Sequence, residues 1–184
     1  MKKYLGICLT LLSLIAGSGA ACAADKDGFQ PPKPKLEHLA RFVVNLEAPI
    51  WELGATSDLG RRRIIPITSG SFDGERLKGA ILNNGADWQV VTAQGLAIID
   101  TRYLLKTSDG ALIYLQTKGF RYGPADVMAE VGKGNPVDPA KYTFRLTMSF
   151  ETSDPRYTWL NRAIGVGSAM RLGAAVVYDA YLLE

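Results

Sequence analysis

From Leu36 to Glu184 the chain is broken at short intervals by turn-forming residues: Gly54, Ser69-Gly70, Asp73-Gly74, Asn83-Asn84-Gly85, Gln94-Gly95, Asp109-Gly110 and Gly132 to Pro136. Such spacing leaves little room for helices. The segments between the breaks are rich in Val, Ile, Leu, Tyr and Thr, residues that suit a pleated, half-buried surface. Alternation is strict from Tyr142 to Phe150: Tyr142, Phe144, Leu146, Met148 and Phe150 share one face, and Thr143, Arg145, Thr147 and Ser149 the other. Ala174 to Leu183 reads as another strand, with Tyr178 and Leu182 opposite Asp179. Leu104 to Tyr114 reads as a hairpin in which Asp109-Gly110 supplies the positive φ angles of a tight turn. Helical periodicity is weak. The one candidate is a short turn from Asp154 to Ala163, with Asp154 as N-cap and Pro155 at the first helical position. The expected fold class is all-β, a single antiparallel β-barrel with a short helical turn in its C-terminal third; a sandwich is the other arrangement such strands allow. Closure into a barrel removes exposed strand edges.

Three segments are expected: a secretory leader over residues 1–23, a Pro-rich linker over 24–35, and the barrel domain over 36–184. Lys2 and Lys3 precede an apolar run from Leu5 to Ala16, and small residues lead to Ala21-Cys22-Ala23, an A-x-A pattern for a signal peptidase. The domain is thus expected to be periplasmic or secreted. A lipoprotein anchored through Cys22 is the alternative, against which Gly19 stands where a large aliphatic residue is usual. Both cysteines, Cys8 and Cys22, lie in the leader, so its removal leaves no thiol, no disulfide and no thiolate metal site. The leader holds two of the 21 Lys and Arg and none of the 18 Asp and Glu, which lowers the formal charge from +3 to +1. Residues 25–35, DKDGFQPPKPK, favour an extended tether.

Charge and motif exclude several function classes. No basic stripe suggests nucleic acid, and no second apolar run is long enough to hold the mature protein in a bilayer. Arg61-Arg62-Arg63 reads as a solvated turn or an anion site. His38 is the single histidine; no G-x-S-x-G elbow accompanies it, and zinc needs several His or Cys ligands. No calcium loop, phosphate loop or dinucleotide fingerprint is present. The expectation is no metal and no cofactor, with a small organic ligand or substrate as partner and the oligomeric state open.

The remaining candidates are polar groups inside strand-like segments. Asp100 and Arg102 are two residues apart and so emerge on one face, flanked there by Ile98 and Leu104. They form either a solvent-facing ion pair or an interior pair that holds a ligand. Asp87 and Trp88 set an acid beside an aromatic, and Tyr157, Trp159 and Asn161 crowd two aromatics and an amide together. Such groups can frame a small-molecule pocket, or the tryptophans can plug the barrel ends.

The series Gly60-Arg61-Arg62-Arg63, Gly70-Ser71-Phe72-Asp73-Gly74, Leu77-Lys78-Gly79, Gly85-Ala86-Asp87-Trp88, Asp100-Thr101-Arg102-Tyr103, Thr107-Ser108-Asp109-Gly110-Ala111 and Arg156-Tyr157-Thr158-Trp159-Leu160-Asn161 resembles the bacterial and fungal family known as domain of unknown function 3237, the UPF0311-type proteins. The resemblance runs in order from about Leu36 to Glu184. Many relatives have Gly-Gly-Ala-Asp-Trp where this chain has Asn84-Gly85-Ala86-Asp87-Trp88; Asn tolerates left-handed backbone, so the turn is expected to survive. The resemblance implies an antiparallel β-barrel and brings no activity with it. Two functions stay open. One is a metal-free acid–base enzyme of lyase, isomerase or hydratase type, with Asp87 or Asp100 as acid, Arg102 stabilising an oxyanion and Tyr103 or Tyr157 as proton donor. The other is a non-catalytic carrier or sensor barrel. A pocket framed by Asp87, Trp88, Asp100, Arg102, Tyr103, Tyr157, Trp159 and Asn161 is the geometric expectation.

Overall fold

The computed structural model describes residues 30–184. The expected leader with Cys8 and Cys22, and the expected linker as far as residue 29, lie outside the described residues. Residues 30–35 are exposed and carry no regular structure. The strands are β1 (Leu36–Leu46), β2 (Trp51–Ser57), β3 (Gly60–Asp73), β4 (Gly79–Ile81), β5 (Gly85–Val91), β6 (Ala97–Thr107), β7 (Leu112–Tyr122), β8 (Thr143–Glu151), β9 (Gly165–Leu172) and β10 (Ala175–Leu183). Helix α1 (Ala125–Lys133) joins β7 to β8, and a 3₁₀ turn (Thr158–Arg162) joins β8 to β9.

Every strand pairing is antiparallel, and the pairing of β1 with β3 closes the sheet into an eight-stranded barrel. β4 and β5 lie end to end in one place between β3 and β6. β2 continues along β3 beyond β1, against Gly60 to Ile64. β3 can serve two sets of neighbours because it runs through Ser69-Gly70, where the sequence suggested a turn. A Cβ on Gly70 would lie 2.2 Å from the Val43 carbonyl oxygen, so only glycine lets β1 approach there.

Side chains alternate between lumen and solvent. In β8 the inward set is the one expected, with Phe144, Leu146, Met148 and Phe150 buried and Arg145, Thr147 and Ser149 exposed. One end of the lumen is packed solid by Phe42, Phe72, Leu77, Leu105, Ile113 and Leu160, all at most 1 % exposed. There Phe42 stacks on Phe72 (5.4 Å) and on Tyr178 (4.7 Å). At the other end α1 buries Val131 in the core.

Three local expectations are corrected. The β6–β7 connection is a four-residue loop in which Gly110 alone has positive φ, with the Gly110 amide donating to the Thr107 carbonyl. Asn84 is not left-handed, since no described non-glycine residue has positive φ. Gly85 is required there for a different reason: a Cβ would lie 2.4 Å from that of Tyr103. The helical turn is a 3₁₀ turn capped at Tyr157, and Asp154 instead accepts the Arg156 amide (3.1 Å) just before it.

Candidate functional site

Inward phase on β5, β6, β7 and β9 brings polar groups together at the loosely packed end of the lumen. Asp87 and Gln89 on β5, Thr101 and Tyr103 on β6, Thr117 and Arg121 on β7 and Arg171 on β9 line a cavity of about 40 Å³, whose other walls include Ile65, Ile99, Phe144 and Val176. That volume holds roughly three waters.

Asp87 is 7 % exposed. The β5–β6 ladder skips Trp88 and Gln89, and the Asp100 amide donates instead to Asp87 Oδ1 (3.2 Å). Gln89 Nε2 donates to the other carboxyl oxygen (2.9 Å). Burial pushes the Asp87 pKa up from 3.8 to about 6; the two hydrogen bonds and the nearby Arg121 charge oppose the rise, and Asp100 adds to it.

Arg121 is 8 % exposed, and its Nε has no partner. Its guanidinium lies 5.5 Å from the Phe144 ring centroid. Burial, then the neighbouring Arg171, pushes its pKa down to about 10, which leaves it charged at neutral pH. Arg171 is half-buried, and burial followed by the Arg63 charge lowers its pKa as well. Arg63 is matched by Glu52, 2.7 Å away. Gln89 Oε1, deep in the lumen, is also unpartnered.

The expected single pocket does not form. Asp87 and Tyr103 face the lumen, but Asp100 and Arg102 emerge on the outer face of β6, their side chains 31 % and 40 % exposed. β6 turns Ala97, Ile99, Tyr103 and Leu105 inward, and Asp100 and Arg102 are out of phase with them. Outside the barrel they form an ion pair (3.2 Å), with Gln116 donating to Asp100 (3.1 Å) and Arg102 5.6 Å from the Trp88 ring. Trp88 is therefore an outer-face residue too. Tyr157, Trp159 and Asn161 belong to the packed end, seven residues along β6 from Asp100, or roughly 23 Å. There they fasten the 3₁₀ turn: the Tyr157 hydroxyl donates to Asp109 (3.0 Å), Arg76 lies over Trp159 (4.2 Å), and Asn161 bonds both backbone groups of Thr152 (2.9 and 2.8 Å). Tyr103 lines the cavity, but its hydroxyl is 2.5 Å from that of Tyr178, and burial raises both phenol pKa values.

The Asp100–Arg102 pair is expected to couple by about 0.5 kcal/mol, an exposed-pair value. A double-mutant cycle of Asp100→Leu and Arg102→Leu, read by denaturant unfolding, measures it; a coupling of about 3 kcal/mol would place the pair in a dry interior.

Gln89, Arg121 and Arg171 were not singled out in the sequence. Phase would have found them: Arg121 is in register with Ile113, Leu115 and Thr117, and Arg171 with Ala169, all buried.

Residues 34–183 match the family described as a protein of unknown function (DUF3237). A UPF0311 protein of Rhodopseudomonas palustris is 37% identical over 150 residues, which cover 80% of this chain and 97% of that one. A hydroalkoxylation enzyme of Penicillium herquei is 24% identical over 166 residues, covering 90% and 94%. Among solved structures, a β-barrel-like protein of Acinetobacter baumannii is 64% identical with a TM-score of 0.76, over 85% of this chain and 99% of that one. An enzyme from Penicillium herquei is 25% identical with a TM-score of 0.59, over 85% and 99%. With a barrel of the same kind and a match over nearly all its described length, the chain belongs to the DUF3237 family, the UPF0311 proteins.

Proposed function

We propose that the polar end of the lumen is an acid–base site for a small organic molecule, in which Asp87 takes and returns a proton and Arg121 steadies negative charge on oxygen. The observation that carries this reading is Asp87 itself, a carboxyl group inside the barrel beside a cavity, with its pKa pushed to about 6. A proton carrier works best with a pKa near the ambient pH. The hydroalkoxylation activity of the Penicillium herquei relative lends support, since adding an alcohol O–H across a carbon–carbon double bond is proton-transfer chemistry. For a double bond conjugated to a carbonyl, the Asp87 carboxylate takes the hydroxyl proton as the oxygen bonds to the β-carbon. The π electrons move onto the carbonyl oxygen beside Arg121, and Asp87 then returns the proton to the α-carbon. One O–H and one C=C π bond are lost; one C–O and one C–H bond form. With water as the nucleophile the same steps make a hydratase, and in reverse a lyase. The leader pattern at Lys2 to Ala23 supports an exported site of action for this activity.

The test is turnover in D₂O of a panel of unsaturated carbonyl compounds bearing a free hydroxyl, read by mass spectrometry. Addition with deuterium at the α-carbon, lost in Asp87→Asn, is the expected result. Binding without addition or exchange would make the barrel a carrier and end the enzyme reading.

A further inference from the structure

We infer that the molecule bound at this end carries a carboxylate or phenolate, held by Arg121 and Arg171. The inference rests on the site proposed above and names the class of its substrate. Among the described residues, the guanidinium of neither arginine donates a side-chain hydrogen bond or lies within 4.0 Å of a carboxylate; the neighbouring Arg63 has Glu52 Oε1 2.7 Å from its Nε, an ion pair whose geometry is not that of a hydrogen bond. Both line the cavity. With Asp87 ionised the lining carries one surplus positive charge, and with Asp87 protonated it carries two. A buried guanidinium with a free Nε–H costs folding energy unless something accepts from it. A ligand anion supplies both the acceptor and the countercharge, and a planar fork suits a carboxylate in two-point contact. Gln89 Oε1 is a free acceptor in the same lumen, but it makes no hydrogen bond to either guanidinium, and a neutral amide supplies no countercharge. Arg171 is half-buried, so of the two it is the one in contact with solvent as well as with the cavity. The anionic group is therefore anchored at the arginines while the reacting carbons extend towards Asp87, Thr101 and Thr117.

Calorimetry on the full chain with formate and acetate, anions small enough for the cavity of about 40 Å³, against formamide and acetamide tests this. Each carboxylate is expected to bind about tenfold more tightly than its amide. That preference should vanish in Arg121→Met and shrink in Arg171→Met. It should persist in Arg145→Met, a change on the outer face, and sharpen in Asp87→Asn, where the repelling charge is gone. Removing a buried unpaired charge leaves Arg121→Met able to fold, which its thermal melt reports. Equal binding of acid and amide, or a carboxylate Kd weaker than about 10 mM in the wild type, overturns the inference. The two proposals fail separately. Addition to neutral substrates only, lost in Asp87→Asn, leaves the acid–base site and removes the anion. Carboxylate preference with no Asp87-dependent exchange leaves the anion site and removes the chemistry.

Discussion

Replacing Asp87 with Asn is expected to lower turnover about 10²- to 10⁴-fold while making the protein more stable, and both effects have one cause. The barrel holds a carboxyl group where its charge is poorly solvated. Its folded pKa of about 6 lies above the unsupported value of 3.8. The folded state therefore binds its proton more tightly than the unfolded state does. The stabilising contribution is complete below pH 3.8, declines as pH rises towards 6 and is gone above that. The full difference is about 3 kcal/mol. Asn keeps the Oδ1 acceptor for the Asp100 amide, and a turned Gln89 amide offers its unpartnered Oε1 to the new Nδ2–H. Asp154, Asp179 and Asp109 have lowered pKa values and act in the opposite direction, so the informative quantity is the difference between wild type and variant. Denaturant unfolding at pH 4, 5 and 7 should show the variant gaining on the wild type as pH rises. A difference that does not change with pH would mean that Asp87 is as well solvated inside the barrel as outside.

Alternation made one half of the fold legible. β8 could be read residue by residue because one of its faces is buried and the other wet, so its pattern has a single interpretation. β6 has apolar residues on both faces. Ile98 and Leu104 are half-buried on the outside beside Phe120 and Tyr114 of β7, and they drew Asp100 and Arg102 into an interior the pair does not occupy. α1 escaped notice because it is nine residues long and buries Val131 alone. Its end signals were present: Asp126 in the first turn, Lys133 in the last and Gly134 in left-handed conformation after it. In the candidate site, Asp87 was legible as an acid in an apolar strand. Arg121 and Arg171 come from strands that only closure of the barrel brings opposite β5. Tyr157, Trp159 and Asn161 have the composition of a pocket but the contacts of a latch, a difference carried by Asp109, Arg76 and Thr152 far from them in sequence.

Phe42→Ala is expected to destabilise the protein by about 3–5 kcal/mol, the largest stability loss of any change considered. Phe42 is 0 % exposed and lies between two rings, stacked at 20° on Phe72 and at 5° on Tyr178. Truncation removes both contacts and leaves a void in the half of the lumen packed by Phe72, Leu77, Leu105 and Ile113. Collapse around the void is resisted by the strands themselves, since β1 is held by β10 on one side and β3 on the other. The Tyr178 hydroxyl is fixed by Tyr103 (2.5 Å), so that ring cannot tilt into the gap without breaking a buried hydrogen bond, at a further cost of about 1 kcal/mol. Phe120→Ala is the control: the same side chain, on the outer face of β7 and 52 % exposed, with an expected loss near 1 kcal/mol. Urea unfolding of both variants at pH 7 decides between a barrel packed at one end and one loosely filled throughout. Comparable losses for Phe42 and Phe120 would contradict the packed end. Where a folded fraction of Phe42→Ala survives, it should still prefer a carboxylate to its amide, because Arg121 and Arg171 are untouched, while the affinity itself can change through Tyr178, which belongs to both the ring stack and the cavity wall.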